Sequence, residues 1–159
     1  KCYKSCMDSL FLTLGDTALT LGIGSRQHPL PIGIATLVKA FRQRMPSALA
    51  LENAIADVED AVMPAGQWLP AGASLLQTAD PLLLQLIHSA TGNPQATQAS
   101  REAIENLFEV LARQSLQPGH VDAQLPQSPE FAAALLILRE AMHHWGMSTL
   151  QARSNQPFP

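Results

Sequence analysis

Cysteine is nearly missing from this chain: Cys2 and Cys6 are the two in 159 residues. With nothing elsewhere to pair with, they exclude a disulfide framework and agree with a reducing, cytoplasmic compartment. A metal clip made from that pair alone would be two ligands short. Charge is also scarce, at 14% of residues with a formal net charge of -3. The few cations form no long stripe, so the phosphate neutralisation that nucleic-acid binding needs has no footprint, and no nucleic-acid partner is expected. Lys39, Arg42 and Arg44 form a small local patch. It is read as the last turn of a helix, where cations offset the macrodipole.

Long apolar runs are lacking too. The stretch 10–24 is interrupted by Asp16 and has no small-residue cleavage site after it, so it is read neither as a secretory leader nor as a membrane span, and no membrane partner is expected. Phosphate-cradling glycine loops, nucleophile elbows, paired CxxC motifs and HExxH are all missing. Gly22, Ile23 and Gly24 lack the third glycine and the following helix of a dinucleotide fingerprint. No repeat of solenoid length is visible.

What the chain has in quantity is apolar side chain, 47% of residues. From 10 to 23 these alternate, with Leu10, Leu12 and Leu14 answered by Leu19, Leu21 and Ile23 across Gly15 and Asp16, the pattern of a β-hairpin. His28, Pro29 and Pro31 then mark 25–31 as an irregular connection. Beyond it the period becomes helical. Ile34, Leu37, Val38 and Phe41 form one stripe, and Leu51, Ile55, Val58 and Val62, after a Ser47 cap, form the next. Glu59 and Asp60 fall in the last turn of that second helix, where the macrodipole disfavours them and the sequence offers no reason for their presence.

The segment 64–79 is read as a long loop around Trp68. Asp80 and Pro81 open a short apolar helix that Gly92 stops, and a helix over 100–116 follows. Ser128, Pro129 and Glu130 start a last helix, ended by Gly146, whose apolar surface runs almost all round. That helix is expected to be central.

These elements predict a mainly α protein: a five-helix, bundle-like domain with an N-terminal β-hairpin, an all-α arrangement being the alternative. One helical domain would occupy 10–150, between flexible ends at 1–9 and 151–159. So much apolar surface with so little charge points to a non-catalytic helical interaction or dimerisation module, docking on itself or on a protein partner through an apolar helical surface. The alternative is a small-molecule- or metal-binding helical bundle, with an enzyme as one form of it, built on Glu140, His143 and His144. Glu140 and His143 have the Glu-x-x-His spacing of bundle metal sites and are the candidate ligands for a divalent metal; otherwise no cofactor is expected. Trp68, His88, Glu140, His143, His144 and Trp145 are the candidate ligand-binding residues. No catalytic residue is assigned.

Overall fold

The computed structural model describes residues 9–153. The alternating segment forms the expected hairpin, with β1 (Leu10–Leu14) antiparallel to β2 (Leu19–Ile23) and Leu12 opposite Leu21. Leu10, Leu12, Leu19, Leu21 and Ile23 are buried, so the period of two marks a single covered face. The chain then continues into a third strand, β3 (Arg26–Leu30), antiparallel to β2. The irregular connection expected at 25–31 is thereby corrected. Pro29 is tolerated there because β3 is an edge strand, where the missing N–H breaks no ladder on the open side.

Two helices follow, α1 (Ile34–Ala40) and α2 (Ala48–Val62), the latter capped by Ser47 Oγ accepting from the Ala50 N–H at 3.1 Å. Helix α1 stops before Arg42 and Gln43, which adopt left-handed backbone at φ 58° and 60°. Only Lys39 therefore lies in its last turn, and the macrodipole does not explain Arg42 and Arg44. A 3-10 helix, Met63–Trp68, leads to β4 (Leu75–Thr78), then α3 (Pro81–Thr91), β5 (Gln98–Ser100), α4 (Arg101–Ser115), α5 (Pro129–Trp145) and β6 (Thr149–Ala152). The caps of α3 and α5 are those read from sequence: the Asp80 and Ser128 side chains each accept a first-turn N–H, and Gly92 and Gly146 are left-handed. Ser100, read as the first residue of its helix, instead caps α4 by accepting from the Ala103 N–H.

The strands join in one mixed sheet of order β3-β2-β1-β4-β6-β5, in which β4 is parallel to both β1 and β6. The remaining pairs are antiparallel. The expectation of a mainly α, five-helix bundle with one hairpin, and its all-α alternative, are overturned: this is an α/β fold with a six-stranded sheet. The physical reason is strand length. β4, β5 and β6 have four, three and four residues, with Leu76, Ala99 and Leu150 as their buried apolar anchors, too little pattern to register as alternation. Gln151 and Ala152, placed in the loose tail, pair with Gln77 and Thr78. The rest of that expected tail, the expected flexible start, and Cys2 and Cys6 lie outside the described residues.

Helix α5 is central, as its sequence implied. Residues 131–138 are all fully buried, with α1, α2, α3 and α4 packed around the helix. Leu83, Leu86 and Ile87 of α3 are likewise fully buried. Much of the apolar side chain is thus absorbed within the chain, while Leu49, Met63, Leu116 and Val121 remain exposed. Among the described residues no helix is long and apolar enough to cross a membrane.

Candidate functional site

At the centre of the sheet β1 and β4 are parallel neighbours whose chains depart in opposite directions, β1 to β2 and β4 through the helices to β6. Such a reversal opens a crevice beyond the carboxyl ends of the strands, where open α/β sheets bind ligands. The β1–β4 pairing covers Leu10 with Leu76 and Phe11 with Gln77. Past it, the buried Thr78 hydroxyl bridges the strands, donating to the Leu12 carbonyl at 2.8 Å and accepting from the Asp80 N–H at 3.1 Å.

Three segments surround this edge. The β1–β2 loop places Gly15 and Asp16 against the start of α1: the Gly15 carbonyl accepts from the Ile34 N–H at 2.9 Å, and that of Asp16 from the Ala35 N–H at 2.9 Å. Gly33 makes the approach feasible, since a β-carbon there would collide with the Asp16 carbonyl oxygen. On the β4 side, Asp80 caps α3 by accepting from the Leu82 N–H at 2.9 Å. After β6, Arg153 donates its N–H to the Thr78 carbonyl at 2.7 Å, and its guanidinium reaches Gln77 Oε1 at 3.5 Å. The edge thus carries the exposed Asp16 carboxylate, the half-buried Asp80 and an exposed guanidinium. A carboxylate can orient and deprotonate water, and a guanidinium can hold a phosphate oxygen.

The acid and histidine groups picked out from the sequence lie elsewhere, near the C-terminal ends of α2 and α5. Glu140 is 2% exposed. One of its oxygens is ion-paired with the Arg139 guanidinium, which stacks over the Phe108 ring at 4.8 Å. The other lies 3.2 Å from His144 Nε2, and Glu59 Oε1 lies 3.9 Å from the same nitrogen. The donor atoms of Glu59, Glu140 and His144 fall within 4.8 Å of one another, a set that could hold a metal ion. Here is a reason for Glu59 in the last turn of α2: an imidazole faces it across the helix interface.

Expected metal partners Glu140 and His143 are not brought together in this cluster. His143 is exposed and meets the edge of the His144 ring, with centroids 5.0 Å apart. Trp145 is buried and donates from Nε1 to the Val62 carbonyl at 2.8 Å, tying α5 to α2. Trp68 is 39% exposed and stacks on His28, with ring centroids 4.3 Å apart. His88 is half-buried on α3. Asp16, Thr78, Asp80 and Arg153 were not singled out as site residues. The one signal for them was the Gly-Asp turn between two alternating segments, which marks a loop without saying which sheet edge it occupies.

No protein-family model and no curated protein sequence matches the chain. Solved structures do. A Ppx/GppA phosphatase from Aquifex aeolicus is similar with a TM-score of 0.68 at 13% identity, over 92% of this chain and 53% of that one. A second structure of the Aquifex aeolicus PPX-GPPA enzyme gives 0.67 at 14%, over 92% and 53%. An exopolyphosphatase-like protein gives 0.60 at 14%, over 96% and 57%. At these identities the likeness establishes the fold. The chain spans about half the length of the solved structures it matches.

The fold also corrects the functional expectation. A non-catalytic helical interaction or dimerisation module presupposed a stack of helices with apolar surface to spare, and the ligand- or metal-binding alternative presupposed a helical bundle. The chain instead has the α/β fold of structures described as phosphatases, with α5 inside it and α3 burying one face.

Proposed function

We propose that this chain is a phosphate-handling domain of the Ppx/GppA phosphatase type, which binds a phosphoanhydride or phosphate ester in the crevice beyond β1 and β4 and hydrolyses it. The single observation that carries this reading is the sheet order with its reversal between β1 and β4, in a fold similar to such phosphatases over 92% of the chain. Linear polyphosphate is the first substrate to test, because one neighbour is described as exopolyphosphatase-like. Asp16 would orient the attacking water, and Arg153 would hold a phosphate oxygen. The matched structures are about twice as long, so the same proposal includes a second folded unit that closes the crevice by protein–protein contact. A cytoplasmic setting belongs to it as well.

The test is release of inorganic phosphate from polyphosphate and from p-nitrophenyl phosphate, with magnesium supplied. Asp16→Asn should retain the circular-dichroism spectrum and lose about 100-fold in rate, the scale of a general base. Arg153→Gln should raise KM more than it lowers kcat. A chain that neither releases phosphate nor binds polyphosphate, or full activity in Asp16→Asn, would contradict the proposal.

A further inference from the structure

The cluster between α2 and α5 is built from groups that bind metals, and it lies apart from the crevice. Glu140 has an orientation fixed by burial and by Arg139, which leaves its second oxygen directed at His144. Holding a ligand carboxylate from behind in this way is what surrounding residues do at metal centres. The 3.2 Å between His144 Nε2 and Glu140 Oε2 is also the spacing two ligands adopt on one cation. With bonds of about 2.0–2.2 Å and angles of roughly 100–110°, donors sit roughly 3.1–3.6 Å apart. Glu59 Oε1 is 3.9 Å from the imidazole nitrogen and the three donor atoms spread over up to 4.8 Å, so the Glu59 side chain must swing inward to share a cation, which its half-buried position permits.

We infer that Glu59, Glu140 and His144 form a site for a zinc-class divalent cation that pins α2 to α5 beside the Trp145–Val62 hydrogen bond. The imidazole ligand favours zinc over magnesium or calcium, which prefer all-oxygen sets. Three protein ligands leave further positions to water. A metal takes an imidazole nitrogen in its unprotonated form, so acid competes with binding at any such site.

The experiment is a titration of the full chain at mildly alkaline pH after chelator treatment, in a Cys2→Ser, Cys6→Ser background so that thiolates contribute nothing. Zinc is followed by calorimetry and cobalt by its visible absorption. One ion per chain should bind. His144→Ala should abolish binding, Glu59→Gln should weaken it by roughly tenfold or more, and His143→Ala should leave it unchanged. Should His144→Ala fail to fold, Glu59→Gln alone decides, because its side chain is only half-buried. Unsaturable uptake, or equal affinity in the parent and Glu59→Gln, would overturn the inference. No phosphate compound enters the titration, so its outcome is separate from that of the phosphatase assay.

Discussion

Gly33 and Gln43 show how single positions set the geometry on either side of α1. At Gly33 the β1–β2 loop lies against the helix start, and a methyl group would meet the Asp16 carbonyl oxygen. Gly33→Ala should therefore destabilise the chain by about 1–3 kcal/mol, the cost of overpacking, measured by urea unfolding. It should also displace the loop that carries Asp16. At Gln43 the backbone is left-handed without being glycine. Gln43→Gly should stabilise by about 1 kcal/mol, because the penalty of a β-carbon in that region disappears. A lower unfolding midpoint for Gln43→Gly would mean that its side chain contributes more than the backbone costs. At this scale the sequence was legible wherever one residue acts on its neighbours: the caps at Ser47, Asp80 and Ser128 and the stops at Gly92 and Gly146 stand where they were read. Glu140 was not legible. Whether a carboxylate late in an apolar helix is solvated or buried depends on Arg139, Glu59 and His144, and Glu59 comes from a different helix.

Among the elements, the junction of β1 and β4 bears the most weight. Thr78 supplies one hydroxyl that satisfies a carbonyl of β1 and an N–H of the turn into α3, where the two strands cease to pair. Thr78→Val keeps the shape and removes both bonds, which should cost about 1–3 kcal/mol and weaken amide exchange protection at Asp80. An unchanged unfolding midpoint would show that the hydroxyl does not join the strands. The helices and the first hairpin could be read because their periods persist over several residues. β3 was hidden by Pro29, whose strand-breaking signal does not apply at a sheet edge. β4, β5 and β6 were hidden by brevity, and their pairing is set by partners far along the chain, as with Leu76 opposite Leu150.

For the whole molecule, the sheet reverses the meaning of the composition. Abundant apolar residues and few charges looked like a stack of helices, yet a buried α5 and a sheet with parallel central strands take up many such residues inside a single chain. The sheet also directs attention from the histidines to the β1–β4 edge, which its topology marks as the place for a ligand. Amide chemical shifts followed by NMR during titration with short polyphosphate test this most directly. The largest changes should fall on Gly15, Asp16, Asp80 and Arg153, while Glu59 and His144 stay still; a chain indifferent to the titrant, or one responding first at His144, would contradict a phosphate site at that edge.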